Sequence, residues 1–148
     1  MRAFFLASVV LLLVAEGTQA QNSAAIALSN ARSLRCHFTS GIATQWKNGK
    51  ADTASAKNEQ TVQFDSIDLR ANKARLIGNL AAVDVSARMT PVGITFVETS
   101  PAIFATTTVF AAFAGDREFL AVDTRHGLLP GTAITFAEQY PGTCAVWE

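Results

Sequence analysis

Apolar and polar residues change places every second position along most of this chain, and that period constrains its fold more than any other feature. From Leu34 to Trp46 the even positions are Leu34, Cys36, Phe38, Ser40, Ile42, Thr44 and Trp46, while Arg35, His37, Thr39, Gln45 and Lys47 stand at odd positions. Alternation of this kind predicts a β-strand with one buried face, the even one. Gly41 inside it predicts a bulge or bend. Val62 and Phe64 resume the pattern, and Ile67 and Leu69 continue it one residue out of step across Asp65-Ser66, as a bulge or two short strands would. "AVDVSARM" alternates cleanly from Ala82 to Met89. "IFATTTVFAAF" is β-branched and aromatic on both faces, the pattern of a strand buried on both sides or nearly so. Turn-forming punctuation such as "RANKAR", "TPVG", "SPA", "AGDR" and "GLLPG" then divides the chain into about seven to nine strands. The connections are too short for helical crossovers, so the expected fold is an all-β antiparallel up-and-down meander.

Three segments stand apart. "NGKADTASAKNEQ", from Asn48 to Gln60, is small, polar and turn-rich, and reads as a long exposed loop. Residues 21–32, "QNSAAIALSNAR", read as a mobile N-terminal arm or one helical turn. Ahead of them, Arg2, the apolar run from Phe4 to Val14 and the small residue Ala20 form the pattern of a secretory signal cut after Ala20. That apolar run is short of the roughly 20 residues of a spanning helix. Residues 1–20 are therefore expected to be removed, leaving no transmembrane segment, a secreted or periplasmic protein, and one all-β domain over residues 33–148.

Export makes the two cysteines informative. Cys36 and Cys144 flank the meander, and an even cysteine count in an oxidising compartment predicts their disulfide. In a closed up-and-down barrel the first and last strands are neighbours, so the bridge would sit on the seam. A β-sandwich is the alternative that could bring the same strands together. "CHFTSGIATQWKNG" has the order Cys, Thr, Gly, Trp, Asn, Gly and resembles the first strand of avidin-type barrels; lipocalin-type barrels also place a Gly and a Trp there. "TTTVFAAF" resembles a later avidin-type strand. Four residues separate Gly41 from Trp46, where those families have one. The likeness covers about twenty residues, implies a lipocalin- or avidin-like barrel, and carries no ligand-binding residue across.

The charges balance at 12 basic and 12 acidic side chains, which leaves no basic footprint for nucleic acid. Residues 21–90 hold nine Lys and Arg against five Asp and Glu, and residues 91–148 hold two against six. The nucleophile-elbow, zinc-helix and phosphate-loop signatures are all missing. Two Cys and two His without close pairing do not have zinc spacing. The chain is thus expected to be non-enzymatic, with no metal and no cofactor. In "FLAVDTRHGLLP", strand alternation separates Asp123 and Arg125 from Thr124 and His126. If Leu120 and Val122 face inward, Asp123 and Arg125 form an outward ion pair and His126 ends the inward row at a mouth. Glu138 interrupts the apolar even row Ile134, Phe136, Tyr140, which points to a displaced register there. Phe38, Trp46, Phe64, Phe96, Phe110 and Phe136 are expected inside. Two functions follow. One is a barrel that binds a small apolar or amphipathic ligand, or an envelope or surface protein, through Trp46, Thr124, His126 and Tyr140. The other is a structural or interaction module of the inhibitor or adhesion type, with a filled core, acting through exposed loops such as Asn48–Gln60.

Overall fold

The computed structural model describes residue 19 and residues 21–78, 81–129 and 131–148. The expected signal sequence lies outside the described residues apart from Gln19. Eight strands follow in order: β1 (Leu34–Lys47), β2 (Lys50–Asp68), β3 (Lys73–Ile77), β4 (Ala82–Thr90), β5 (Gly93–Thr99), β6 (Ile103–Phe113), β7 (Glu118–Leu128) and β8 (Thr135–Val146). Each pairs antiparallel with the next, and β8 returns to pair with β1, so the sheet closes into a barrel rather than a sandwich.

The disulfide holds that seam. Cys36 lies directly opposite Cys144 in the β1–β8 register, with their Cα atoms 3.9 Å apart and both side chains buried. The bridge spans a sequence separation of 108 residues.

The stretch read as a long loop is strand. Lys50–Gln60 forms the first half of β2 and pairs with β1 down to Lys47↔Lys50. Asn48 and Gly49 alone make the turn, with φ of 51° and 74°. Two successive residues at positive φ match a type I′ hairpin, for which Asn-Gly is the preferred pair. β2 pairs with β3 only from Gln63 onward, so over residues 50–62 the described sheet has a free edge.

Bulges set which residues face the core. In β1 the register shifts between Phe38 and Ser40, and one extra residue inverts the alternation. Leu34, Cys36 and Phe38 point inward, but Ala43 and Gln45 take over beyond the bulge, and Trp46 turns outward with 40 % of its surface exposed. In β2 the parity slip is the expected bulge: Ser66 has φ 52°, and it lets Phe64 and Ile67 both be buried. Phe110 also turns outward, because its neighbours Val109 and Ala111 pack on the core.

In place of an arm, residues 21–30 form a helix, α1. Ala24, Leu28 and Ala31 recur at i, i+4 and i+7 and bury one face in the same core as Leu34, Ile67 and Phe119. Arg32 ties this segment to the end of β2, its carbonyl accepting from the Ile67 N–H at 3.0 Å. α1 therefore covers the barrel end where β1 and β7 begin. Phe64 and Phe96 stack across the interior with ring centroids 3.8 Å apart, and Phe113 lies 5.0 Å from Phe119.

Replacing Cys36 and Cys144 together by Ala frees a loop for which chain entropy gives about 4–5 kcal/mol, so chemical denaturation should report a loss of that order; an unchanged midpoint would refute it. Acid should weaken the β2–β3 turn. The Arg75 guanidinium holds the Asp65 carboxyl below its ordinary 3.8, and the Ala71 and Arg70 backbone N–H groups do the same for Asp68. Both folded values lie below the unfolded ones, so their stabilisation is present above pH about 4 and is lost as pH falls through the lowered values. Asp68→Asn should shrink the fall in Tm between pH 5 and pH 2; an identical fall would contradict this.

Candidate functional site: a sealed interior and a charge-free outer wall

β7 faces the opposite way to the sequence expectation. Phe119, Ala121 and Asp123 are buried, whereas Leu120 is 44 % exposed and Thr124 and His126 lie on the outer face. Phe119 is the larger plug and takes the inward row, so Asp123 follows it inside at 3 % exposure.

A buried carboxylate is expensive unless paired and hydrogen-bonded, and Asp123 is both. Its Oδ1 accepts from Thr107 Oγ1 at 2.8 Å, and its Oδ2 accepts from Arg125 Nε at 2.9 Å and Gln60 Nε2 at 3.2 Å. Arg125 Nη2 also donates to Gln60 Oε1 at 2.7 Å. Asp123, Arg125 and Gln60 close a circuit between β2 and β7, and Thr107 of β6 joins it through Asp123. Among the described residues no buried side-chain nitrogen or oxygen lacks a partner.

Glu138 sits opposite Arg125 in an unbroken β7–β8 register, so it points inward beside a cation; no displaced register is needed. Glu98 completes this polar end on β5. Between the polar groups and Phe64 and Phe96 lies a cavity of about 20 Å³, room for about one water molecule. The centre of the barrel is filled.

Of the four candidate ligand residues, only Tyr140 faces this interior, and it is buried. Trp46, Thr124 and His126 come together instead on the outside, across β1, β8 and β7. The register runs Trp46↔Thr135↔Leu128, then Thr44↔Ala137↔His126↔Phe104, then Ile42↔Gln139↔Thr124↔Thr106↔Val97. On β8 the outward positions from Thr135 to Ala145 are Thr, Ala, Gln, Pro, Thr and Ala. On β7 from Leu120 to Leu128 they are Leu, Val, Thr, His and Leu. β6 adds Phe104, Thr106, Thr108 and Phe110, and β5 adds Thr95, Val97 and Thr99. Not one Asp, Glu, Lys or Arg occurs among them.

Threonine ladders knit this wall: Thr106 with Thr124, and Thr95 with Thr108 at 3.3 Å. The charges sit around the rest of the barrel. Arg35 and Glu118 border the wall at one end and Arg88 at one side, and the Asp65–Arg75 pair, 2.7 Å apart, lies on the β2–β3 side. His37 also faces out there, 3.3 Å from Thr61 and 3.8 Å from Glu59. Among the described residues no three His, Cys, Asp or Glu side chains cluster as a metal site, and no helix is long and apolar enough to cross a membrane.

No protein-family model matches the chain, and neither a curated protein nor a solved structure does.

Gln60 and Thr107 are not legible in the sequence as partners of Asp123, because Gln60 ends a stretch with the composition of a loop and β-propensity alone explains a threonine run. Truncating Arg125 should leave Asp123 buried with only neutral partners. Arg125→Ala is expected to lose about 2–4 kcal/mol, below the full value for a buried pair because Arg125 is partly exposed. The double variant Asp123→Leu/Arg125→Leu should lose less; denaturant titrations showing equal or greater loss in the double variant would overturn the circuit.

Proposed function

We propose that this protein is an exported, non-enzymatic interaction module with a filled core, which works through its outer surface rather than by enclosing a ligand. The observation that carries this reading is the enclosed cavity of about 20 Å³ beside Phe64 and Phe96, against the roughly 300 Å³ or more of a small-molecule site; the larger concavity of about 730 Å³ beside Phe113 and Phe119 is open at the α1 end and outside the barrel's centre. The aromatic rings that would line a ligand chamber are instead in contact with one another, as at Phe64 and Phe96. Eight-stranded barrels are just wide enough for side chains to fill them, and α1 covers one end.

The disulfide is compatible with an oxidising, extracytoplasmic setting. Loops do not supply the working surface, since the longest candidate is strand β2. The uncharged wall carries three of the four residues singled out in the sequence.

Native mass spectrometry of the full chain and titration with an environment-sensitive apolar dye test this directly. The expected result is an apoprotein mass without a bound small molecule and no saturable dye binding. One-to-one dye binding that Phe96→Ala alters would overturn the filled-core reading.

A further inference from the structure

We infer that Asn48, at the tip of the β1–β2 hairpin, is a self-modification site: the backbone nitrogen of Gly49 converts its side-chain amide to a carboxylate without any enzyme. The inference goes beyond the interaction reading and does not depend on it.

Among the asparagines, Asn48 alone precedes a glycine; the others precede Ser23, Ala31, Glu59, Lys73 and Leu80. A residue without Cβ leaves its own N–H open to close approach, and at Gly49 even an added Cβ would meet nothing within 4 Å. Both turn residues are exposed.

The reaction balances with water as its co-reactant. A solvent base takes the Gly49 amide proton, and the nitrogen attacks Asn48 Cγ. The bond from Cγ to the side-chain nitrogen breaks, ammonia leaves, and a cyclic succinimide remains. Water then opens the ring at Cγ to give aspartate, or at the backbone carbonyl to give isoaspartate. Nothing is oxidised or reduced.

The closed turn keeps the reacting atoms apart. With φ of 51° and 74° the pair matches a type I′ turn, in which Cβ and the next nitrogen lie on opposite sides of the Cα–C bond. The tip therefore has to open, and two features make opening easy. Lys47 and Lys50 form the closing pair, directly opposite each other, and like charges so placed repel. β1 pairs with β8 only as far as Trp46, and among the described residues β2 has no second neighbour before Gln63. The closing pair thus hangs on a single ladder. The same two ammonium groups favour the negative charge that develops on the attacking nitrogen.

The product reverses this weakness. An aspartate, ionised at neutral pH, stands between the two lysines, and Asp-Gly suits the same turn. Isoaspartate instead adds a backbone carbon to a two-residue loop and unseats the closing pair. Asn72 offers an internal control. It also has a positive φ, of 54°, but it precedes Lys73, and its carbonyl accepts from the Ala87 N–H at 3.2 Å.

Peptide mapping of the full chain, with its disulfide formed, tests the site after incubation at mildly alkaline pH. The peptide that begins at Lys47 should gain about 1 Da, the difference between an amide and an acid, while the one holding Asn72 stays unchanged. Gly49→Ala should slow the gain several-fold. Lys50→Glu, which sets an opposite charge against Lys47, should slow it about threefold, the scale on which one cross-strand charge pair shifts local opening. An Asn48 that stays an amide while the reduced, denatured chain converts would overturn the inference, because the turn would then lock the nitrogen away. Conversion of Asn72 as fast as Asn48 would also overturn it, as would Lys50→Glu reacting no more slowly than the wild type.

Discussion

Everything in this molecule depends on closing the sheet between its most distant strands. β1 and β8 are joined at the end of the longest loop the fold contains, and that closure is entropically demanding because nothing local brings the two strands together. Two devices secure it. One is a ladder of backbone pairs from Leu34↔Val146 to Trp46↔Thr135; the other is the covalent bond between two side chains directly opposed within that ladder. Once the circle closes at eight strands, the diameter follows, and the interior becomes a space that side chains fill. An interior of that size can be filled by side chains or can hold one small ligand, and among the described residues Phe38, Phe64, Phe96 and Tyr140 fill it.

A filled barrel has to reconcile its polar residues with that interior. This one gathers them at the end opposite α1, where Asp123, Arg125, Gln60 and Thr107 satisfy one another and Glu98 and Glu138 border the solvent. The apolar end, by contrast, is sealed by Ala24, Leu28 and Ala31 of the helix. The interior is therefore graded from dry to polar along its axis. The sorting of charge continues outside, where one wall carries ion pairs and the other carries none.

The period-2 alternation, the hairpin-length connections and the terminal cysteines made the barrel and its seam legible in the sequence. They did not disclose which face of each strand is inside. Along β7 the rows Phe119–Ala121 and Leu120–Val122 are both apolar, and the choice between them is made by the volume of Phe119 and by partners of Asp123 that lie 63 and 16 residues away. Trp46 changes sides because of one inserted residue in β1, and alternation can show a slip only when apolar residues flank it on both sides. The first half of β2 was hidden by composition: its face near the mouth is exposed, so its small polar residues resemble a loop. The Asn48-Gly49 pair was the readable mark of the hairpin.

The free edge of β2 takes on a further meaning beside the uncharged wall. Over residues 50–62 its backbone donors and acceptors on one side have no neighbouring strand among the described residues, and such an edge invites indiscriminate pairing with any extended chain. Lys50, Asp52, Lys57 and Glu59 all fall within it. The chain thus places ions along the edge where its hydrogen-bonding ladder is open and keeps them off the outward rows from β5 to β8. An approaching polypeptide is turned away from the edge by hydrated charge and left with the broadside of the barrel. Recognition is thereby moved from backbone, which every protein shares, to side chains, which only particular partners can match.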